Sequence, residues 1–250
     1  MPPLPLRIAI LECDTPAPKT REKYGGYGGV FTSLLHRAAS SLTPPLPESS
    51  LQISKYDVVT AQEYPSLSSI DAVLISGSRH TSFDSDPWIL KLVEFVKSVL
   101  AQDRVKIVAV CFGHQIVGRA LGVQVGRSDK GWEVSLMPAE LTEKGKELFG
   151  LDRLNLFQMH KDAVCEYPTE VEPLAYTDKC ATHGMYIKGR LITVQGHPEF
   201  TGDIVRELME ARHDVGIFDD ETFNEAIGRI KEDHDGVVVA QAFLKFMRED

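Results

Sequence analysis

The chain has 250 residues, 43% of them hydrophobic and 25% charged, and 27 Lys+Arg against 36 Asp+Glu give a formal net charge of −9. That balance excludes a disordered chain and argues against a duplex nucleic-acid binder, which needs a basic patch to neutralise phosphates. One α/β domain over 1–250 is expected, its core at about 7–203 and closing helices over 203–248.

Apolar runs of strand length alternate with segments of helical period. Arg7–Cys13 reads as a first strand, β-branched and buried on both faces. A Gly-rich stretch at 24–29, read as flexible and lying beside the substrate, leads to a helix over 30–39 and a Pro- and Ser-rich loop over 41–50. Strands follow at 51–59 and 72–75, then an amphipathic helix over 88–100 behind Pro87. The run 106–110 (KIVAV) is a fourth buried strand and 116–121 has helical period. Beyond Val123 the strands become shorter and more polar, at 123–126, 133–137, 154–157, 172–176, 184–187 and 191–195. Helices over 203–211, 220–233 and 237–248 close the chain. This alternation predicts a three-layer α/β fold, a mostly parallel sheet with helices on both faces and an added antiparallel portion.

No apolar run reaches the roughly 18 residues of a membrane span. The start, MPPLPLR, lacks the basic-then-apolar order of a secretory signal, so a cytoplasmic protein is expected. Cys13, Cys111, Cys165 and Cys180 show neither CxxC spacing nor the density of a disulfide scaffold, in keeping with that compartment.

The strongest local signal is VAVCFGHQ at 108–115. A cysteine at the carboxyl end of a buried strand, followed by glycine and a helix, occupies a sharp strand-to-helix turn that exposes its sulfur at the top of the sheet. The helix start supplies backbone N–H groups and a positive dipole end, which suit a nucleophilic sulfur. A plain reading makes Cys111 a small hydrophobe ending a core strand. The run 191–200 (LITVQGHPEF) answers it: another buried strand ends in His197 and Glu199, a base and the carboxylate that can orient it. Parallel strands bring such carboxyl ends to one edge of the sheet. A third strand end, Ser76-Gly77-Ser78, offers an amide from Gly77 or Ser78 to a developing oxyanion, beside the amide of Phe112. Such donors contribute about 3–4 kcal/mol each.

These three segments, CFGHQ at 111–115, GHPE at 196–199 and SGS at 76–78, resemble the signature segments of class I glutamine amidotransferases, in order over about residues 7–203. The resemblance implies a flavodoxin-like fold and a Cys111–His197–Glu199 triad. It implies that Gln115 helps hold the substrate. It also implies that the loop 158–162, with His160 and Asp162, meets the α-amino and carboxylate end of a γ-glutamyl group. Within the family, SGSRH at 76–80, DPWI at 86–89, KGWE at 130–133 and QMHKD at 158–162 are most similar to the stand-alone branch that includes plant γ-glutamyl peptidases and fungal homologues. Met159 and Lys161 replace the serine and glycine frequent in glutaminases, and no ammonia-consuming segment follows the triad in these residues.

The expected activity is therefore cysteine-dependent hydrolysis of γ-glutamyl amides through a thioester, on γ-glutamyl peptides or conjugates. The alternatives are a glutaminase subunit passing ammonia to a separate acceptor and a pseudoenzyme that keeps the fold. The glycines at 26–29 lack the last glycine of a dinucleotide fingerprint and the histidines lack ligand spacing, so no cofactor or metal is expected. The expected partner is a small γ-glutamyl substrate, with no nucleic acid and no membrane.

Overall fold

The runs read as buried strands assemble side by side in a computed structural model that describes residues 5–249; the start Met1–Leu4, part of the segment read above for targeting, and Asp250 lie outside the described residues. Strands β1 (Leu6–Glu12), β2 (Leu51–Asp57), β3 (Ala72–Ile75), β4 (Lys106–Val110) and β12 (Leu191–Val194) pair in parallel. β11 (Gly184–Ile187) and β9 (Glu172–Pro173) close one edge antiparallel, giving the order β2-β1-β3-β4-β12-β11-β9.

Because side chains alternate along a strand, each strand feeds two cores. Ile8, Ile10, Leu74 and Val108 pack on one face against Phe31 and Leu34 of α2 (Tyr27–Ser40) and Phe243 and Phe246 of α8 (Gly236–Arg248). Ala9, Leu11, Val73 and Ile107 pack on the other against Leu92 and Val96 of α3 (Pro87–Leu100) and Ile116 of α4 (Phe112–Ala120). Full burial of one such side chain contributes roughly 1.5–3 kcal/mol. The result is the expected three-layer, mostly parallel architecture.

The antiparallel portion is larger than its sequence suggests. β6 (Glu133–Leu141) and β7 (Arg153–His160) pair along their length, with β10 (Ala175–Tyr176) on the outer side of β6. β5 (Val125–Arg127) and β8 (Asp162–Val164) form a separate ribbon. Pro138 opposes Asn155, whose backbone N–H and C=O bond Asp235 rather than β6, so its missing N–H breaks no ladder bond. The single strand expected at 172–176 is two short ones in different sheets, the chain crossing between them at Leu174, just after Pro173. A third core joins this portion to α6 (Gly202–Asp214) and α7 (Asp220–Arg229), with Phe157, Phe200, Ile204 and Met209 packed around Tyr27.

Two helices carry no strong periodic signal. α5 (Glu143–Phe149) is set by its ends: Thr142 accepts the Gly145 N–H at 3.1 Å and Gly150 closes it in the left-handed conformation. α1 (Pro18–Tyr24) is capped from a distance, because the Glu207 carboxylate on α6 accepts the N–H groups of Lys19 and Thr20 and the Thr20 hydroxyl. The Gly-rich stretch also differs from expectation: Tyr27, Gly28 and Gly29 form the first turn of α2, where the Glu12 carboxylate accepts the Gly28 N–H at 2.7 Å. An anion at a helix N-terminus is stabilising, and this one comes from the end of β1.

Candidate active site

Parallel pairing lines up the carboxyl ends of β1, β3, β4 and β12, and the residues after them meet along one edge of the sheet. Cys111 follows β4, and its backbone N–H is held by the Val194 carbonyl of β12 at 2.9 Å. It lies at φ 51°, ψ −106°, a conformation that a non-glycine residue adopts only at a cost of about 1–3 kcal/mol, as the N-cap of α4. The sharp strand-to-helix turn expected from the sequence is therefore present. It is possible because α4 sits directly on the end of β3: a Cβ on Gly113 would come within 2.5 Å of the Ile75 carbonyl oxygen.

His197 follows β12, and its backbone N–H bonds the Phe157 carbonyl of β7 at 2.8 Å. Its Nδ1 lies 2.8 Å from Glu199 Oε1, and the ring stacks on Phe200 at a centroid distance of 3.9 Å and 6° between planes. All three polar members are enclosed, with Cys111 at 5%, His197 at 4% and Glu199 at 1% exposure. Burial opposes a charged imidazole, but the charges and hydrogen bonds of Cys111 and Glu199 outweigh it and raise His197 to about 10. The ring thus lies between a sulfur and a carboxylate.

Gly77 faces the same point from β3. A Cβ there would meet His197 Cε1 at 2.7 Å and Cys111 Cβ at 3.6 Å, so the backbone approaches the pair as closely as a residue can. Ser76 fixes this turn: its hydroxyl accepts the Cys13 N–H and donates to the Gly77 carbonyl, both at 2.9 Å. In a planar trans peptide the Ser78 N–H points opposite to that carbonyl. Phe112 begins α4, where N–H groups have no carbonyl four residues back, and its ring stacks on Trp88.

The other candidates sit together beside the elbow. Gln115 is buried, its Oε1 accepting the Ser82 hydroxyl at 2.8 Å and its Nε2 donating to the Asp162 carbonyl at 2.8 Å and Gln195 Oε1 at 3.1 Å. It therefore ties the β7–β8 turn to α4. The Asp162 carboxylate turns outward to Arg127 at 3.0 Å. His160 is buried, with Nε2 3.1 Å from Glu133 Oε2, and burial lowers its pKa despite that carboxylate. The same Glu133 oxygen lies 2.9 Å from His183 Nε2, while Thr177 donates to the other at 2.7 Å. Burial would raise the Glu133 carboxyl, yet His160 and His183 hold it well below the usual carboxylate range. Glu133, Cys180 and His183 bring donor atoms within 4.8 Å of one another. The Glu133 oxygens also receive protein donors, so this group ties the start of β6 to the end of β7 and to His183. All four cysteines are free thiols.

Three residues at the site escaped the sequence reading. In sequence Phe200 reads only as the end of a strand run, although its place directly after Glu199 is a signal. Tyr27 is buried among Phe200, Ile204 and Met209. Arg212 on α6 is half-buried, and burial lowers its pKa against the opposing pull of Tyr27, Cys111 and Asp14.

Comparison with known proteins places the chain in a family. The profile of glutamine amidotransferase class-I matches residues 27–212, and the chain belongs to that family. It is 35% identical over 247 residues to a glutamine amidotransferase-like protein of Schizosaccharomyces pombe, covering 97% of this chain and 98% of that one. It is 28% identical over 232 residues to gamma-glutamyl peptidase 2 of Arabidopsis thaliana, covering 90% and 88%. A glutamine amidotransferase from Thermotoga maritima shares the fold at a TM-score of 0.72 and 16% identity, covering 98% and 99%. Membership supports an enzyme of hydrolase type. Among the described residues no helix is long and apolar enough to cross a membrane.

Proposed function

We propose that this protein hydrolyses γ-glutamyl amide bonds, with Cys111 as nucleophile, His197 as acid and base and Glu199 as the group that orients it. The observation that carries the reading is the placement of the His197 ring between Glu199 at 2.8 Å and Cys111, with Gly77 packed against both. The Cys111 thiol passes its proton to His197, and the thiolate attacks the γ-carbonyl carbon, forming a C–S bond while the carbonyl electrons move to oxygen. The Phe112 amide and an amide of the Gly77-Ser78 turn receive that oxyanion, and the fixed Gly77 carbonyl favours the Ser78 N–H. The tetrahedral adduct collapses, the C–N bond breaks and His197 gives its proton to the leaving nitrogen. Water then attacks the thioester, losing a proton to His197; a C–O bond forms, C–S breaks and glutamate leaves. Proton transfer of this kind contributes about 10²–10⁴-fold.

The gamma-glutamyl peptidases among the relatives, and Met159 and Lys161 in the β7–β8 turn, support γ-glutamyl peptides or conjugates over free glutamine. The test is purified protein assayed side by side on glutamine and a γ-glutamyl dipeptide. Turnover of the dipeptide, abolished in Cys111→Ala with an unchanged melting temperature, is expected. Activity retained in that variant would remove Cys111 from the reaction, and turnover of glutamine alone would identify a glutaminase.

A further inference from the structure

A second group of reactive side chains takes no part in the chemistry at Cys111. Glu133 opens β6, His160 ends β7, and the turn between β10 and β11 brings Cys180 and His183. They come from three segments distant in sequence, so no ligand spacing announces them. All four are enclosed, none more than 6% exposed. Glu133, Cys180 and His183 each hold a donor atom within 4.8 Å of the other two. His160 Nε2 lies 3.1 Å from the same Glu133 oxygen that His183 Nε2 meets at 2.9 Å.

His160 is the member whose protein contacts do not balance. Its Nδ1 lies 3.2 Å from the Asp162 carbonyl and its Nε2 faces the Glu133 carboxylate, so both ring nitrogens look at acceptors. A neutral imidazole has one N–H to give, and Nε2 makes no well-aligned hydrogen bond among the described residues. With the proton on Nδ1, directed at the carbonyl, an Nε2 lone pair points at a carboxylate lone pair. A cation between them replaces that repulsion by two bonds. Metal-binding histidines characteristically give their other N–H to a backbone carbonyl or carboxylate, and ligating carboxylates are themselves hydrogen-bonded. Here Thr177 donates to the second Glu133 oxygen at 2.7 Å.

The donor chemistry selects the ion. Two imidazole nitrogens, a thiolate and a carboxylate oxygen make a four-coordinate zinc set, whereas magnesium and calcium take oxygen ligands. The Glu133 carboxylate and a Cys180 thiolate together cancel a divalent charge, which suits an enclosed site. Ligands at about 2.0–2.3 Å from a tetrahedral ion lie roughly 3.3–3.6 Å apart, so the two nitrogen–oxygen pairs need only spread by a few tenths of an ångström. Asp178, Lys179 and Ala181 in the covering turn are exposed, so an ion has one surface turn to pass.

We propose that Glu133, His160, Cys180 and His183 bind one zinc ion, a structural site that pins the turn 177–183 to the β6–β7 hairpin. Binding releases the Cys180 thiol proton to solvent and moves the His183 proton from Nε2 to Nδ1, leaving both rings neutral. The site is independent of hydrolysis at Cys111.

The test uses chelator-treated full-length Cys111→Ala protein, which removes the nucleophilic sulfur as a competing ligand. Zinc chloride is titrated against a chromophoric chelator, and cobalt(II) chloride is added for its spectrum. One equivalent of zinc should bind with a sub-micromolar Kd and raise the melting temperature by several degrees. Cobalt should show a thiolate charge-transfer band. Cys180→Ser should abolish that band, and Cys180→Ser and His183→Gln should each weaken zinc about 10²-fold or more; His160→Gln should weaken it at least about tenfold. A measurement that needs no further variant is alkylation: zinc should slow labelling of Cys180 at least about tenfold and leave the exposed Cys165 unchanged. Absence of stoichiometric binding, affinity that survives Cys180→Ser or His160→Gln, or equal Cys180 labelling with and without zinc would each overturn the inference. So would zinc that binds wild type but not Cys111→Ala, since the ion would then sit on the nucleophile.

Discussion

The Cα of Gly77 and the Cε1 edge of His197 are so close that a methyl group on the glycine would lie 2.7 Å from the ring. The imidazole cannot yield easily, because Glu199 holds it at Nδ1 and Phe200 covers its face. Gly77→Ala is therefore expected to tilt the ring away from Cys111 and lower kcat/KM about 10²-fold, the usual cost of misplacing a reacting group by about 1 Å. The melting temperature should fall modestly, since overpacking against a held ring costs about 1–3 kcal/mol. Wild-type kinetics in Gly77→Ala would show that the ring has another place to sit.

Glu199 sets the charge on that ring. Cys111 and Glu199 together raise His197 to about 10 against the opposing effect of burial, so the proton-bearing form persists through neutral pH and is lost as pH rises through that value. The alkaline limb of kcat/KM should accordingly fall near pH 10, as an apparent value shared with Cys111. Glu199→Gln keeps an acceptor for Nδ1–H but removes the negative charge. Its alkaline limb should move to lower pH and its kcat should drop about 10²-fold or more. A pH–rate profile with an unmoved limb would separate Glu199 from the ionisation of the site.

Much of this geometry was legible in the sequence. Strands 72–75, 106–110 and 184–187 were bounded correctly because each is a short buried run cut by turn residues or by a glycine, and Cys111 and His197 were nameable because each ends such a run. Features that depend on distant partners were not legible. α1 has only Thr20 buried and takes its cap from Glu207, and the first turn of α2 looked like a flexible loop because its anion is Glu12. The polar end of β7 read as a loop because Gln158 and His160 are polar, whereas both are buried and His160 faces Glu133.

Glu133 links three segments distant in sequence: its oxygens receive His183 and Thr177 and face His160. Removing it leaves those donors enclosed without an acceptor, and breaking a buried polar pair from one side costs roughly 3–5 kcal/mol. Glu133→Ala should lower unfolding free energy by about that amount in urea titration. Backbone amides of 153–164 should exchange faster, since His160 and the turn it ends would lose their anchor. Glu133→Gln, which keeps one acceptor oxygen, should lose less. Loss confined to global stability, with exchange in that hairpin unchanged, would show that Glu133 is only a core group and does not hold the turn.

Acid should destabilise the fold before its carboxylates begin to protonate. His114 is fully enclosed, with Nδ1 2.8 Å from Thr193 Oγ1, and burial, aided by nearby His183, lowers it to about 3; burial lowers His160 as well. A histidine lowered in the folded state stays neutral there while the unfolded chain takes up a proton below its ordinary value near 6.5. Stability is then present above pH 6.5 and lost as pH falls from there, with a limiting slope of about 1.4 kcal/mol per pH unit for each such histidine. Carboxylates such as Glu133, also lowered, add to the loss only below their unfolded value near 4.5. Urea midpoints should therefore decline already between pH 6.5 and 5, and His114→Gln should flatten that part of the curve while leaving the drop below pH 4.5. A midpoint constant from pH 7 to 5 in the wild-type protein would mean that these rings already carry their protons inside the fold.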